Sequence, residues 1–148
     1  MKKFLYIIIF FITSCGYQPI YLNTNLDNFE FYKINLKGDN SINKRLLDSL
    51  SIKESSSNEK LAELSLSSYF KVDETSKNSK GQILSYRSSI IIDLKIIQNK
   101  NILKNKTFSD EFTYNKKDNK FELTEYQNDI KNQLINKAVE DIILFLNM

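Results

Sequence analysis

Residues 83–97 place the strongest constraint on the fold of this chain. Side chains on one set of alternate positions are apolar, and those on the other set include charges, as in Ile90, Ile92, Leu94 and Ile96 against Ser89, Ile91, Asp93, Lys95 and Ile97. Because successive side chains of a strand point to opposite faces, this alternation predicts a long, half-buried strand. The abundance of β-branched isoleucine disfavours a helix over the same residues.

Other segments predict the strands that surround it. Residues 29–36 predict a first strand with Phe29 and Phe31 on one face and apolar Tyr32, Ile34 and Leu36 on the other. Residues 64–70 alternate apolar and polar side chains, and residues 104–114 form a returning strand after Asn99-Lys100-Asn101. Asparagine tolerates positive φ better than most residues, so this tripeptide predicts a hairpin turn. Residues 53–60 and 73–81 lack periodicity and are expected to be surface loops, the first of them mobile.

Two segments show the helical period instead. Residues 42–50 repeat apolar side chains at helical spacing after the cap-like Asp39-Asn40-Ser41, which predicts a short amphipathic helix. Residues 124–146 carry a wide apolar stripe, and Thr124 with Gln127 can form a capping box at its start. A long C-terminal helix is therefore predicted.

The predicted order is β-α-β-β-β-α. Strands that follow one another and a helix at the end are typical of an α+β fold. We expect two helices packed on one face of a four-stranded mixed sheet. The position of the first strand in that sheet cannot be read from periodicity.

The N-terminus has the layout of an export signal. Lys2 and Lys3 precede an apolar run, Phe4 to Ile12, that ends in small polar residues; the run is shorter than the roughly 20 residues of a membrane-spanning helix. Ile12-Thr13-Ser14-Cys15 resembles the bacterial lipobox, which directs lipid attachment to the cysteine and cleavage just before it. An ordinary signal peptide followed by an incidental cysteine is the alternative.

A lipobox implies that Cys15 is the first residue of the mature protein and carries a diacylglyceryl thioether, with no other cofactor. Two or more acyl chains anchor a protein stably in a membrane. Gly16 replaces the aspartate that favours inner-membrane retention in many bacteria, so the resemblance implies the periplasmic side of the outer membrane. The expected organisation is a signal peptide in 1–14, a lipidated tether in 15–28 and a single domain in 29–148.

Composition excludes several classes of function. Loss of Lys2 and Lys3 with the signal peptide lowers the formal net charge from +3 to +1, so nucleic acid is a poor candidate partner. The chain has no histidine, and Cys15 is its one cysteine. We therefore expect neither a metal site nor a catalytic thiol.

Paired carboxylates are the remaining catalytic candidates. Asp110-Glu111 and Glu140-Asp141 are adjacent in sequence, but adjacent residues point to opposite faces of a strand and diverge by about 100° on a helix. They are expected to be solvated surface residues. The sequence thus predicts no enzyme and no catalytic residue.

Two stretches resemble the LptE family of lipopolysaccharide-assembly lipoproteins. Cys15-Gly16-Tyr17-Gln18-Pro19-Ile20-Tyr21 is similar to the mature start of short LptE members, and Gly81-Gln82-Ile83-Leu84-Ser85-Tyr86-Arg87 resembles their loop into a strand that carries an aromatic residue and an arginine. The following hydrophobic strand, hairpin and final amphipathic helix extend the resemblance over the whole mature chain.

The resemblance implies a domain that plugs the LptD outer-membrane β-barrel, assists its assembly and helps insert lipopolysaccharide into the outer leaflet. Family members bind lipopolysaccharide through basic side chains, which can pair with lipid A phosphates. Arg87, Lys77 and Lys80 are the candidate contacts here. The alternative is that Arg87 pairs with a cross-strand carboxylate and both lysines are solvated.

A rival function is that of an auxiliary lipoprotein in another envelope lipid-transport system. Such proteins are also small, lipidated and α/β, and they accompany an inner-membrane transporter. Co-purification with a large barrel protein separates the two functions.

Overall fold

The computed structural model describes residues 29–55 and 61–147. The eight elements, numbered in chain order, are β1 (Glu30–Phe31), β2 (Lys33–Gly38), α1 (Asn40–Ser49), β3 (Lys53–Glu54), β4 (Glu63–Lys77), β5 (Ile83–Gln98), β6 (Asn101–Asn115) and α2 (Lys120–Leu146). Cys15, the predicted signal peptide and the predicted tether lie outside the described residues. No helix in the described part of the chain is long and apolar enough to cross a membrane.

A four-stranded mixed sheet in the order β2-β4-β5-β6 confirms the predicted α+β fold. β2 runs parallel to β4, and β4, β5 and β6 are antiparallel neighbours. The first main strand therefore lies beside β4, at an edge, which periodicity did not reveal. Parallel neighbouring strands need a crossover connection, which is usually a helix. In this chain α1 lies in the connection between β2 and β4.

Both helices cover one face of this sheet. α1 packs on β2 and β4, and α2 packs on β5 and β6. The core contains the alternate apolar residues predicted for β5, together with side chains from β4 and both helices. Its fully buried apolar members are Ile42, Leu46, Leu50, Leu64, Leu66, Ile90, Ile92, Leu94 and Ile142.

The predicted first strand is split at Tyr32. β1 pairs with β3 in a separate two-stranded sheet, while β2 joins the main sheet. Phe31 is buried, and Ile34, of opposite parity, packs partly against the same core. In a continuous strand, odd- and even-numbered side chains point to opposite faces. The break at Tyr32 allows Phe31 and Ile34 to face the same core. β3 also corrects the expectation that residues 53–60 form one loop; residues 56–60 lie outside the described residues.

β4 extends past the predicted strand into the predicted loop. It continues to Lys77 and pairs with β5 across residues 73–77, with irregular register near Ser76. The predicted loop from Asp73 to Gly81 is therefore present only after Lys77, and the prediction was wrong for residues 73–77. Cross-strand pairing, which is not visible in a single segment, stabilises these polar residues as a strand.

The β5–β6 hairpin has the predicted turn. Asn99 and Lys100 both adopt positive φ, at 51° and 66°, as the two central residues of a type I′ turn do. β6 then runs from Asn101, so the turn itself needs only two residues.

α2 begins before the predicted capping box. Its N-cap is Asn119, whose side-chain oxygen accepts the Phe121 N–H at 2.9 Å. Thr124 lies inside the helix and donates its hydroxyl to the Lys120 carbonyl at 3.0 Å. The capping-box prediction was wrong because a better-placed asparagine caps the helix one turn earlier.

α1 has the predicted cap, Asp39, and the structure adds an ion pair to it. Asp39 Oδ1 accepts the N–H groups of Ser41 at 2.9 Å and Ile42 at 3.1 Å, and Oδ2 lies 3.1 Å from Lys131 Nζ. Burial raises the pKa of Asp39, but the Ile42 N–H, Lys131 and the Ser41 N–H together hold that pKa below its ordinary value of 3.8. The carboxylate therefore links α1 to α2 in its charged form.

Two replacements of Asp39 distinguish the stabilisation by its capping hydrogen bonds from the stabilisation by its negative charge. Asp39→Ala is expected to lower the free energy of unfolding by about 1–2 kcal/mol at pH 7, because the cap is lost. Asp39→Asn keeps a capping oxygen and should lose only the charge-dependent part. Since the folded-state pKa is depressed, that part is present above about pH 4 and disappears as the pH falls through the folded-state value. Urea unfolding of both variants at pH 7 and pH 3 measures it.

Asp48→Asn is the matched control, because Asp48 is an exposed residue at the other end of α1. Its effect should stay within about 0.5 kcal/mol. An Asp39→Asn deficit that is unchanged at pH 3 would contradict the stated role of the charge.

Candidate functional site

The three predicted contact residues lie on the β4–β5 hairpin and its strands. Lys77 ends β4, Lys80 lies in the connecting turn, and Arg87 lies within β5. Lys77 is the register partner of Ile83, four residues before Arg87. At about 3.4 Å per residue, this separates the two positions by roughly 14 Å along the strand. The structure therefore places the two lysines together at one end of the sheet and Arg87 farther along it.

Asn78 builds the turn that presents Lys80. Its side-chain oxygen accepts the N–H groups of Lys80 at 3.0 Å and Gln82 at 2.9 Å. Its backbone carbonyl accepts the Gly81 N–H at 2.9 Å, and Gly81 adopts φ +76°. A compact Asx-type turn thus holds Lys80 exposed at the tip of the hairpin.

Lys77 is exposed and paired within its own strand. Its Nζ lies 2.9 Å from Glu74 Oε2. The hydrogen bond that Lys77 donates to the Glu74 carboxylate, and then the charge of that carboxylate, raises the pKa of Lys77 above the ordinary value. The ammonium is therefore present throughout the neutral pH range, and an anionic ligand would have to compete with Glu74 for it.

Arg87 lies on the sheet face opposite the helices, which we call the open face. Its guanidinium contacts Glu111 at 3.5 Å, and its Nε lies 3.4 Å from Thr113 Oγ1. Glu111 is on β6, so the pairing of Arg87 with a carboxylate of a neighbouring strand is present in the structure. An anionic ligand at Arg87 would therefore have to displace Glu111 or share the guanidinium with it.

A shallow cleft of about 400 Å³ surrounds Arg87. It also contains Lys71, whose Nζ lies 2.7 Å from Asp73 Oδ2. Each cation of the cleft thus has a carboxylate neighbour, so its charges are balanced, and the exposed side chain of Ile91 adds an apolar part to its lining. Its lining residues are Lys71, Asp73, Arg87, Ser89, Ile90, Ile91, Ser109, Asp110 and Glu111.

Lys71 and Asp73 were missed as site residues because the predicted strand stopped at Phe70 and residues 73–81 were expected to form a loop. Tyr69, Lys71 and Asp73 fall on alternate positions in the sequence. If the predicted strand had been continued past Phe70, these three residues would have been placed on one strand face. The structure shows that Arg87 lies beside this face, because Asp73 is its register partner.

The described residues give no sign of a metal centre. In residues 29–55 and 61–147, no group of three or more histidine, cysteine, aspartate or glutamate residues is arranged to hold an ion. Asp110 and Glu111 diverge on β6 as expected: the Asp110 carboxylate contacts Lys137 of α2, whereas Glu111 contacts Arg87 on the open face. The geometry offers a binding surface with mixed charge.

Solved structures of bacterial lipoproteins share this architecture. Rare lipoprotein B from Shewanella oneidensis aligns with a TM-score of 0.60 at 10% identity, covering 78% of this chain and 93% of that one. Uncharacterized lipoprotein B from Nitrosomonas europaea aligns with a TM-score of 0.59 at 9% identity, covering 84% and 88%. A minor lipoprotein from Acinetobacter baumannii gives 0.51 at 12% identity, covering 77% and 89%.

At these identities the likeness establishes the fold, which is that of bacterial lipoproteins. No protein-family model matches the chain, and no curated protein matches its sequence significantly.

Proposed function

We propose that this chain is an outer-membrane lipoprotein of the LptE type. It is anchored on the periplasmic side through a lipid on Cys15, plugs an LptD-like β-barrel, assists its assembly and helps insert lipopolysaccharide into the outer leaflet. The observation that carries the proposal is the agreement between the lipobox and a fold shared with solved lipoproteins over most of their length. The proposed function is binding and scaffolding without catalysis.

The open face supports this proposal chemically. The lumen of an outer-membrane barrel is polar, and a plug must present polar groups to it. Serine, threonine and paired charges line much of the open face, including the cleft around Arg87 and a second depression lined by Lys37, Ser65, Ser67, Asp93, Lys95, Asn105 and Thr107. Such a surface can exchange its hydrogen bonds with water for hydrogen bonds with a polar wall.

An affinity capture tests the proposed partner. The full chain, carrying a C-terminal tag and its own N-terminus, is purified from detergent-solubilised membranes, and the captured proteins are identified by mass spectrometry. We expect a large β-barrel protein in equimolar amount. The matched control is Cys15→Ala, which removes the proposed lipid anchor and should reduce capture.

Recovery of inner-membrane transporter subunits without a barrel would contradict the proposal. It would favour an auxiliary role in another envelope lipid-transport system.

Lipopolysaccharide contact through Arg87, Lys77 and Lys80 is proposed as part of this function. A variant with alanine at all three positions is expected to bind lipopolysaccharide about tenfold or more weakly, because charge-assisted bonds to phosphate are lost. Binding of purified lipopolysaccharide is measured by its quenching of a fluorophore attached to the C-terminal tag. A matched control replaces Lys44, Lys53 and Lys120, which are exposed lysines elsewhere.

Equal affinity of the triple variant and the parent would remove these residues from the proposal. A similar loss in the control would show that binding follows net charge instead of position.

A further inference from the structure

β4 has an open edge along its second half. β2 ends at Gly38, which is the register partner of Ser68, whereas β4 continues to Lys77. Among the described residues, no strand lies beside residues 69–77 on the side that β2 occupies farther back. Unpaired strand edges of this kind can template the addition of another strand.

The direction of the backbone groups on this edge follows from β2. The Ser68 carbonyl accepts the Asp39 N–H at 2.9 Å, so Ser68 directs its backbone groups toward the β2 side. Backbone direction alternates along a strand; therefore Phe70, Val72 and Glu74 direct their N–H and C=O groups out of the open edge. Their side chains lie on the helix-covered face, where Val72 is 39% exposed.

We propose that this edge pairs with the same edge of a second copy of the chain. A two-fold axis at Val72 places Val72 opposite its own copy, and Phe70 opposite Glu74 of the second copy. All three positions then form hydrogen-bonded pairs, giving about six new backbone hydrogen bonds in an antiparallel ladder. The main sheets of the two copies become one continuous sheet.

The charges beside this edge favour a second copy of the chain as the added strand. In this register Lys71 lies opposite Asp73 of the second copy, and Asp73 opposite its Lys71. These are non-hydrogen-bonded positions, where Cα atoms are about 4.5 Å apart and side chains interact most closely. Lys71 and Asp73 already pair within one chain on the exposed open face, so dimerisation creates an alternating network of four charges.

The helix-covered face adds a second complementary contact. Lys131 Nζ lies 5.2 Å from the centre of the Phe70 ring. Glu74 of the second copy, opposite Phe70 on the same face, brings a carboxylate toward this ammonium. Lys131 then lies between Asp39 of its own chain and a carboxylate of the other.

The other long edge of the sheet is less suited to pairing. β6 directs the N–H of Glu111 outward, because backbone direction alternates along a strand and the even-numbered Lys116 donates its N–H to the Leu84 carbonyl of β5 at 2.8 Å. That N–H is already bonded to Asp110 Oδ1 at 2.9 Å, and Asp110 is held by Lys137 of α2. The edge of β6 is thus blocked at this point.

The five-residue ladder implies weak association. It is bounded by Gly38 on one side and by the irregular register after Glu74 on the other. An interface of this length is smaller than that of a stable complex, so we expect reversible dimers that form at high local concentration. The inference does not rest on the proposed barrel partner, although Lys71 and Asp73 also line the cleft around Arg87.

Charge exchange tests the register. The full chain with its own N-terminus is purified in a mild detergent, and its dimer dissociation constant is measured by sedimentation velocity over a concentration series. Lys71→Asp and Asp73→Lys each place like charges opposite one another at both sites, and each should weaken dimerisation about tenfold. Because the mixture of the two variants restores opposite charges across the interface, it should associate as tightly as the parent.

The mixture distinguishes the interface from effects inside one chain, since each variant keeps its altered internal pair when mixed. Differently tagged copies identify the mixed dimer by sequential capture. A parent chain that remains monomeric up to about 1 mM, variants that associate like the parent, or a mixture no tighter than either variant would each overturn the proposal.

Discussion

Gly38→Ala is expected to lower the free energy of unfolding by more than about 3 kcal/mol, or to prevent folding. Gly38 has φ +83°, and a Cβ atom there would lie 2.0 Å from the Ser68 carbonyl oxygen and 3.0 Å from its carbon. Both contacts are with backbone, so no side chain can move to relieve them. Relief requires separation of β2 from β4, which would also break the Asp39 N–H bond to Ser68.

Gly81→Ala is the matched control. Gly81 has a similar φ of +76°, but a Cβ atom there meets nothing within 4 Å. This variant should lose only about 1–2 kcal/mol of unfolding free energy, because alanine disfavours a positive φ. Denaturant unfolding of the two variants separates the steric contribution from the conformational one, and equal losses would show that the close approach of β2 to β4 is unimportant.

Asn43→Ala is expected to cost about 2–4 kcal/mol, because it removes buried hydrogen bonds and leaves a cavity. Asn43 is completely buried in α1. Its Nδ2 donates to the Lys37 carbonyl at 2.8 Å, and its Oδ1 accepts the hydroxyl of Ser68, also completely buried, at 2.7 Å. The side chain therefore joins α1 to the end of β2 and to β4.

A double-mutant cycle measures this coupling. Ser68→Ala alone should cost about 1–2 kcal/mol, because Asn43 loses its donor. The double variant should cost at least about 0.5 kcal/mol less than the sum of the two, since neither partner is then left unsatisfied. Asn128→Ala, at an exposed position of α2, is the control and should remain within about 0.5 kcal/mol.

Strict additivity of the two changes in urea unfolding would contradict a direct bond between Asn43 and Ser68. A small effect of Asn43→Ala alone would indicate that water enters the site and replaces the amide.

Gly38, Asp39, Asn43 and Ser68 meet where β2 ends and α1 begins. The same point limits the pairing of β2 with β4, and so creates the open edge of β4. A change at Gly38 is therefore expected to affect both the stability of the fold and the surface proposed for self-association.

The sequence by itself determined the identity of the main elements. Alternation over β5, positive φ at Asn99, the Asp39 cap and the stripe of α2 are local properties, expressed within one strand or one turn of helix. Each was predicted and is present in the structure. The α+β class followed from their order alone.

The candidate site was only partly predictable. Arg87, Lys77 and Lys80 were named from a resemblance, and their distances depend on strand register, which no single segment contains. The pairing of Arg87 with Glu111 joins residues on different strands. The cap at Asn119 was missed because the predicted capping box placed the start of the helix at Thr124, five residues later.

Tertiary structure alone decided how the elements are arranged. It placed β2 beside β4, split the first strand at Tyr32 and extended β4 to Lys77. The physical reason is that strand neighbours are chosen by backbone bonds and shared core volume between segments distant in sequence. The open edge of β4 exists because a glycine ends β2 while cross-strand pairing with β5 continues β4.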